Sequence, residues 1–190
     1  MRVSIINSGR GGLGVVELGE MLGWYFIGMG LKATSVPNYG PQTRGGYVES
    51  IVVASDEDVL NPIPHSFDIA NVLDILGMYA VDKVRDGGLV VINSTLIRQE
   101  VRSAGKVFYV QATRIAEEVA RNKLREPRVA SNSAVFGFLV RAMGGSPELM
   151  EEAIRNALSD KPAVAIQLNI DIARRAYEES SSVEGVFRIQ

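Results

Sequence analysis

The stretch Val3–Gly14, with the sequence VSIINSGRGGLG, decides how the rest of the chain is interpreted. Its first half is a short apolar run that ends at Ser8, which is typical of a β-strand. Glycines then follow in a G-x-G-x-x-G pattern at Gly9, Gly11 and Gly14, and the next residues form a long segment without proline. This order predicts a strand, a tight turn and a helix.

A glycine pattern between a strand and a helix is typical of sites that bind nucleotide phosphates. Gly9 would permit the turn, Gly11 would let the backbone approach a phosphate, and Gly14 would let the helix pack closely. Free N–H groups at the start of the helix favour an anion. The alternative interpretation is a glycine turn that only needs positive φ angles and holds no ligand.

A nicotinamide cofactor is disfavoured because a suitable acid is missing. Its ribose is usually held by Asp or Glu about 20 residues after the glycines, but no acidic residue lies between Glu20 and Glu49. NADP is less strongly disfavoured than NAD, because Lys32 or Arg44 could contact its 2′-phosphate. An adenosine phosphate carrier such as coenzyme A, or no ligand, fits the residues better.

The loop 38–46 is predicted to lie beside the glycine turn, because both would be at the carboxyl edge of a parallel sheet. Arg44, flanked by Thr43 and Gly45, could offer a bidentate guanidinium to a phosphate. Tyr39 could stack on a base or on a side chain of a partner. In the alternative interpretation the loop is structural and Arg44 binds carbonyl groups.

The helix after the turn has two contrasting faces. One arc is predicted to pack on a sheet and consists of Val15, Leu18, Leu22, Tyr25, Phe26 and Met29. The opposite arc mixes charged and apolar side chains, namely Glu17, Glu20, Trp24 and Ile27. Either a second helix of the domain covers this arc, or the arc contacts another subunit, since aromatic residues are enriched at interfaces.

Strand and helix patterns alternate along the rest of the chain. Strands are predicted at 3–7, 32–36, 47–54, 68–76, 89–93 and 107–110, and helices at 79–85, 113–122, 134–143 and 163–177, with another that begins after Ser146 and Pro147. Asn132 precedes one of these helices and either caps it or faces the crevice at the glycine turn. The alternation predicts a single α/β domain over 1–190, with a Rossmann-like, doubly wound and mostly parallel sheet covered by helices on both faces. Residues 178–190 are predicted to form a loose tail.

The composition excludes several kinds of chemistry. The 190 residues include 20 basic and 22 acidic side chains, one histidine and no cysteine. A disulfide framework, a thiolate nucleophile and a cysteine-held zinc ion or iron–sulfur cluster are therefore excluded, and His65 alone is too little for a histidine-based metal site. The net charge of −2 argues against nucleic acid as a partner. No signal segment and no membrane span are predicted, so a cytoplasmic protein is expected.

Two segments carry a resemblance to a known family. Residues 8–14 (SGRGGLG) and 39–46 (YGPQTRGG) are similar to the gamma subunit of the 2-oxoacid:ferredoxin oxidoreductases. The similarity extends from residue 3 to about residue 177, with further matches at 55–62, Asp68 and 132–137. Leu13 departs from the family pattern, which usually has Gln there, and the change removes an amide that could contact a ligand or partner. The loop 39–46 resembles the 2-oxoglutarate members more than the pyruvate members.

The resemblance implies a multisubunit enzyme that decarboxylates a 2-oxoacid on thiamine diphosphate, passes electrons through iron–sulfur clusters to ferredoxin and transfers the acyl group to coenzyme A. Thiamine diphosphate and the clusters would lie in partner subunits, namely alpha, beta and optionally delta. This chain would hold no cofactor alone and would contribute no catalytic residue and no metal ligand. Its coenzyme A-proximal site is predicted to consist of Gly9, Arg10, Gly11, Gly12, Leu13, Gly14, Tyr39, Thr43, Arg44, Gly45 and Asn132.

Two other functions stay open at this point. A free-standing NADP-binding oxidoreductase would bind NADPH tightly as an isolated chain. A purely structural subunit would bind no coenzyme A, whether free or assembled. The isolated chain could also form a homodimer.

Overall fold

Six strands form one mixed sheet in the computed structural model, which describes residues 1–41, 45–124 and 126–189. In chain order they are β1 (Arg2–Arg10), β2 (Lys32–Tyr39), β3 (Tyr47–Ser55), β4 (Phe67–Val72), β5 (Val84–Asn93) and β6 (Lys106–Val110). Their order across the sheet is β2-β3-β1-β4-β5-β6. Of these strands, β3 alone runs against its neighbours, β1 and β2, while β1, β4, β5 and β6 pair in parallel. The prediction of a mostly parallel α/β sheet is confirmed.

The described residues also form five α-helices and three 3-10 helices. The α-helices are α1 (Val15–Gly28), α2 (Ala112–Val119), α3 (Ser131–Ala142), α4 (Pro147–Ala157) and α5 (Ala163–Glu179), and the 3-10 helices occupy Ile75–Lys83, Pro127–Ala130 and Ser181–Val183. The start of α4 agrees with the sequence prediction. Its cap, Ser146, accepts a hydrogen bond of 3.2 Å at Oγ from the backbone N–H of Leu149, which satisfies one of the free donors of the first turn.

Two apolar cores lie on opposite faces of the sheet. Alternate residues of the strands point to opposite faces, so Ile5 joins the core formed with the five α-helices. Its neighbour Ile6 joins a smaller core with the 3-10 helix Ile75–Lys83 and with Ile97. Helical elements thus cover both faces, but the α-helices of the described chain lie on one side. The glycine turn follows β1, the strand between these two cores.

Several predicted boundaries differ from the structure. The second strand was expected to end at Pro37, but β2 continues to Tyr39, because it lies at the edge of the sheet, where a residue without an N–H is tolerated. The fourth strand ends at Val72 instead of residue 76, since the Asp74 carboxylate accepts from the N–H of Leu76 and starts the 3-10 helix. Of the helix predicted at 79–85, residues 79–83 belong to this 3-10 helix, whereas Val84 and Arg85 begin β5. The glycines at 87–88, expected to close a helix, lie within β5.

The C-terminal segment, predicted to be a loose tail, is packed in the structure. Helix α5 continues to Glu179, and Phe187 is only 8% exposed. The N–H of Phe187 donates to the carbonyl oxygen of Ala142 at 3.0 Å, and Arg141 forms an ion pair of 2.7 Å with Glu184. The serine-rich composition after Glu179 concealed these contacts with the end of α3.

The two arcs of α1 are buried to very different degrees. The predicted core arc is buried except for Met29, which is 40% exposed because it follows the last turn of the helix. On the other arc, Trp24 is 43% and Ile27 48% exposed. A second helix of the described chain therefore does not bury Trp24 and Ile27, although Glu17 at the start of the same arc contacts Asn132 of α3. The subunit-contact interpretation of the exposed part stays a prediction. In residues 1–41, 45–124 and 126–189, no helix has the length and apolar character needed to cross a membrane.

Candidate functional site

The glycine turn joins the end of β1 to the start of α1. Gly9 and Arg10 are still part of β1, and the N–H of Gly11 donates to the carbonyl oxygen of Gly46 at 2.8 Å. Gly12 and Gly14 have φ angles of +96° and +71°, in the region that favours glycine. The positive φ angles therefore occur at Gly12 and Gly14, not at the first two glycines of the motif.

Close packing explains the last glycine of the motif. A Cβ atom on Gly14 would lie 2.3 Å from Nδ2 of Asn132 and 3.0 Å from the carbonyl oxygen of Val129. These distances are below van der Waals contact, so any larger residue would push α3 away from the turn. The predicted role of Gly14 in close helix packing is therefore supported by the geometry, with α3 as the neighbour.

The turn presents a row of backbone donors. The N–H groups of Gly12, Gly14, Val15, Val16 and Glu17 have no hydrogen-bond acceptor in the described parts of the chain. The first intrahelical bond is that of the Leu18 N–H to the carbonyl oxygen of Gly14, at 2.9 Å. Unpaired N–H groups at a helix start carry the positive end of the helix dipole and suit an anion.

A cleft of about 320 Å³ adjoins these donors. It is lined by the turn and first helical residues together with three side chains from other elements, namely Gly11, Gly12, Gly14, Val15, Val16, Glu17, Tyr39, Val48 and Val129. We call it the first cleft. Tyr39 is 65% exposed at the end of β2, so much of its side chain is accessible at the cleft within the described chain. Val48 and Val129 make the other walls apolar.

The charges at the first cleft are mixed. Glu17 lines it, and its carboxylate lies 3.4 Å from Nδ2 of Asn132 and 3.6 Å from Nζ of Lys161. The pKa of Lys161 is raised by the charges of Glu17 and Asp160. The pKa of Glu20 is also raised, mainly by burial and then by repulsion from Glu17 and Asp160. An anion at the turn would meet one carboxylate that is partly neutralised by Lys161.

A second cleft, of about 420 Å³, lies beside the same turn. Its lining combines apolar and charged side chains with the turn, namely Arg10, Gly11, Gly12, Leu13, Asp74, Ile75, Leu96, Glu126, Arg128 and Val129. The Nε atom of Arg10 is paired with the buried Asp74 carboxylate at 3.2 Å. Leu13, the position that departs from the family pattern, therefore lines this second cleft and not the first.

Asn132 lies beneath the turn. It is 1% exposed, and its Nδ2 donates to the carbonyl oxygen of Gly14 at 3.1 Å, while its Oδ1 accepts from the N–H of Ser133 at 2.8 Å. It is not the N-cap of α3 and lines neither cleft. The prediction that Asn132 caps α3 is therefore wrong, whereas its side chain faces the glycine turn as the other alternative expected, as a buried support beneath the cleft.

The loop after β2 approaches the glycine turn from the neighbouring hairpin. The N–H of Gly40 donates to the carbonyl oxygen of Tyr47 at 2.9 Å, and Gly46 accepts from Gly11 at 2.8 Å. Gly45 is exposed, with a φ of +65°. The predicted binding residues Thr43 and Arg44 lie outside the described residues. The described stems bring Tyr39 to the first cleft, as the sequence analysis expected.

One buried carboxylate near the site was missed from the sequence. Glu49 on β3 is 6% exposed and accepts hydrogen bonds of 2.8 Å from Asn38 Nδ2 and from the Tyr79 hydroxyl, and a further one from the Tyr47 hydroxyl. Nζ of Lys83 lies 4.0 Å from the same carboxylate. The only available signal was a glutamate within an otherwise apolar strand pattern, and such a residue is rarely buried unless it is paired.

Burial by itself raises the pKa of Glu49, but hydrogen bonds from Tyr47, Asn38 and Tyr79 and the charge of Lys83 outweigh it, so the pKa lies below its ordinary value. Burial also raises the pKa of both tyrosines, and their hydrogen bonds to Glu49 add to the rise. Glu49 is therefore ionised and both phenols are protonated at neutral pH. In the described part of the chain, no group of three or more His, Asp or Glu side chains is arranged to hold a metal ion.

Comparison with known proteins agrees with this fold and shows the family. The family model for pyruvate ferredoxin/flavodoxin oxidoreductase matches residues 4–179. The 2-oxoglutarate synthase subunit KorC of Methanocaldococcus jannaschii is 32% identical over 186 residues, which span 92% of this chain and 95% of KorC.

Solved structures extend the comparison. A keto/oxoacid ferredoxin oxidoreductase gamma subunit from Geobacter sulfurreducens superposes with a TM-score of 0.75 at 25% identity and covers 97% of this chain and 99% of the other. The 2-oxoglutarate:ferredoxin oxidoreductase of Magnetococcus marinus, solved with 2-oxoglutarate, coenzyme A and succinyl-CoA bound, superposes with a TM-score of 0.81 at 17% identity. That likeness covers all of this chain but 33% of the larger one, and it concerns the fold alone.

Proposed function

The chain belongs to the pyruvate ferredoxin/flavodoxin oxidoreductase family as a gamma-type subunit of a 2-oxoacid:ferredoxin oxidoreductase, and we propose that its glycine turn binds coenzyme A. In this proposal the assembled enzyme oxidatively decarboxylates a 2-oxoacid, reduces ferredoxin and transfers the acyl group to the thiol of coenzyme A. Thiamine diphosphate and the iron–sulfur clusters would be held by companion subunits. The chain itself has no cysteine to hold a cluster.

The observation that carries the proposal is the row of backbone N–H groups of Gly12 and of residues 14–17 along the first cleft, which have no acceptor within the described chain. These donors would bind a phosphate of coenzyme A, since a helix start with free N–H groups attracts phosphates. The exposed ring of Tyr39 would stack on the adenine, and Val48 and Val129 would contact apolar parts of the ligand. Thr43, Arg44 and Gly45, next to the described loop stems, would add donors to the same ligand.

Charge at the cleft makes the binding conditional on Lys161. Glu17 would repel a phosphate at the turn, whereas Lys161, 3.6 Å from that carboxylate, would offset the repulsion. The proposed role of this chain is therefore to bind and orient coenzyme A. No side chain is proposed as an acid, base or nucleophile.

We propose 2-oxoglutarate as the substrate of the assembled enzyme. The loop 39–46 resembles the 2-oxoglutarate members, and the KorC relative is named a 2-oxoglutarate synthase subunit. The pocket for the 2-oxoacid would lie in companion subunits, namely alpha and beta, with or without delta, and ferredoxin would bind through the complex.

A purely structural subunit is the second candidate. It is favoured by the carboxylate of Glu17 at the first cleft and by Leu13 in place of the usual glutamine. An NADP-binding oxidoreductase has less support, because Lys32, one of the two cations expected to contact its 2′-phosphate, lies at the start of β2 and pairs with Asp58.

The test is the kinetics of the complex with a changed turn. The chain is tagged in its native host, and the complex is purified with its companion subunits and assayed for iron, thiamine diphosphate and coenzyme A-dependent oxidation of 2-oxoglutarate. Gly11→Val is expected to raise the KM for coenzyme A by about tenfold or more, because the new side chain blocks close approach of a phosphate to the backbone.

Gly23→Ala provides the control within α1, because a Cβ there has no neighbour within 4 Å in the described chain. An unchanged KM in the Gly11→Val complex would contradict the coenzyme A proposal and favour the structural subunit. A tagged chain that purifies without thiamine diphosphate or iron would contradict the assembly as well.

A further inference from the structure

The carboxylate of Glu49 joins three separate elements. Asn38 on β2 and the Tyr79 hydroxyl on the 3-10 helix Ile75–Lys83 each donate to it at 2.8 Å, and Tyr47 at the start of β3 donates to it as well. Lys83 lies 4.0 Å from Glu49 and 4.9 Å above the ring of Tyr79. The rings of Tyr47 and Tyr79 also pack edge to face, with centroids 4.8 Å apart.

Two of the residues that donate to Glu49, Asn38 and Tyr47, lie on the strands at either side of the loop beside the first cleft. Asn38 directly precedes Tyr39, the exposed aromatic wall, and the backbone oxygen of Tyr47 accepts from Gly40 at 2.9 Å. Tyr47 follows Gly46, whose oxygen accepts from the N–H of Gly11. Glu49 thus binds the residue that precedes Tyr39. It also binds the residue that follows Gly46, whose oxygen accepts from the glycine turn.

A carboxylate is not needed to fill this place in the core. Ile51 and Val53 occupy the same face of β3 and pack in the apolar core there, and a buried charge costs free energy unless it is well paired. The charged group that faces Glu49 is Lys83, with its Nζ 4.0 Å from the carboxylate. Hydrogen bonds from two phenols and one amide offset the burial cost and fix three donors in one arrangement.

We propose that Glu49 is a positioning residue for coenzyme A, acting through Asn38 and Tyr47 to hold the Tyr39 wall and the glycine turn in the geometry that binds the ligand. The inference rests on the proposed function of the first cleft and adds to it a residue that does not touch the ligand. Loss of the carboxylate should loosen both loop stems together. The affinity for coenzyme A should fall while the chemistry in the companion subunits continues.

Asp68 provides a matched control at the opposite end of the strands, at the start of the interior strand β4. It is 7% exposed and accepts hydrogen bonds from the Ser4 backbone N–H at 2.7 Å and from the Ser4 hydroxyl at 2.9 Å, and it pairs with Arg85. Its burial and partners are close to those of Glu49, but it lies at the start of β4, far from the turn that follows β1. Removing it tests general destabilisation without touching the loop stems.

The experiment compares Glu49→Ala, Glu49→Gln and Asp68→Ala in the purified complex. For Glu49→Ala we expect a KM for coenzyme A raised about tenfold, with kcat at saturating coenzyme A and the KM for the 2-oxoacid within about twofold of the parent. Glu49→Gln keeps an acceptor of the same shape and should recover most of the loss, to about threefold. Asp68→Ala should lower the unfolding temperature but leave the KM for coenzyme A within about twofold.

The outcomes separate this inference from the proposed function. If Glu49→Ala leaves the KM for coenzyme A unchanged, or if Asp68→Ala raises it equally, the positioning role is overturned. If Gly11→Val raises that KM and Glu49→Ala does not, the proposed function stands without Glu49. If neither variant changes the KM for coenzyme A, the proposal that the glycine turn binds coenzyme A is contradicted as well. Should Glu49→Ala fail to assemble, Tyr79→Phe removes one donor to the carboxylate and is expected to raise the same KM by about twofold to threefold.

Discussion

Nδ2 of Asn132 donates a 3.1 Å hydrogen bond to the carbonyl oxygen of Gly14, a residue 118 positions earlier in the chain. The bond joins α3 to the last residue of the glycine turn before α1 begins. Gly14 can approach Asn132 this closely only because it has no side chain. The two residues therefore form a direct contact between α3 and the start of α1. The conformation of the turn is therefore determined from beneath by α3 as well as by its own glycines.

Asn132→Ala is expected to lower the free energy of unfolding by about 1–3 kcal/mol, because it leaves the buried carbonyl of Gly14 and the N–H of Ser133 without these partners. Urea unfolding of the isolated chain measures the effect. Asn156→Ala, an exposed amide on α4, is the control and should change stability by less than about 0.5 kcal/mol. Equal stability of the two variants would mean that Asn132 does not support the turn.

Gly14→Ala and Gly12→Ala separate backbone strain from packing. Both glycines have positive φ angles, but a Cβ on Gly14 would meet Asn132 at 2.3 Å, while a Cβ on Gly12 meets nothing within 4 Å in the described chain. We expect Gly12→Ala to cost about 1 kcal/mol from strain alone, and Gly14→Ala to cost about 2 kcal/mol more because α3 must move. Thermal unfolding of both variants gives the difference, and similar values would refute the close approach.

Trp24→Glu tests the uncovered arc of α1. The side chain is 43% exposed in the chain alone, so the isolated chain should lose less than about 1 kcal/mol of stability. Assembly with companion subunits should weaken, since a buried charge without a partner is costly at an interface. Co-purification from the native host measures assembly. Val164→Glu, at a 75% exposed position on α5, is the control. Full assembly of the Trp24→Glu chain would contradict the prediction that this arc contacts another subunit.

Tyr25 predicts how stability depends on alkaline pH. Burial raises the pKa of Tyr25 to about 12, with a smaller contribution from Tyr177, whereas the phenol of an unfolded chain titrates near about 10. Above the unfolded value the unfolded state has lost its proton and the folded state still holds it, so stability falls as pH rises from about 10 to 12, by about 1.4 kcal/mol per pH unit. Urea unfolding of Tyr25→Phe over this range should show a shallower fall than the parent. Tyr39→Phe, at a phenol that is 65% exposed, should follow the parent.

The sequence predicted most of the fold because its strongest patterns are local. The strand before the glycines, the alternating strand that became β3 and the Ser146 cap all depend on neighbours within a few residues. The direction of β3 was not predictable in the same way. Alternation of side chains specifies a face of the sheet but not whether a strand runs parallel or antiparallel to the next.

The site was predictable in its backbone and not in its supports. Gly12, Gly14 and Tyr39 are found at one cleft, as the motif spacing indicated. Asn132 was named from the sequence, but its bond to Gly14 was not, and Glu49 was missed. Both side chains bond to residues on other elements, and no local pattern encodes such contacts. The departure at Leu13 was visible in the sequence, but its place in the second cleft required the fold.

The position of Pro37 in β2 has a consequence for the subunit before it assembles. This strand is the last of the sheet on its side, and its outer edge has no strand partner in the described chain. Proline offers no N–H for another strand, and Lys32 places a charge at the start of the same strand. Both features discourage edge-to-edge addition of a second sheet. We therefore expect the newly synthesised chain to resist aggregation through this edge before it assembles with companion subunits.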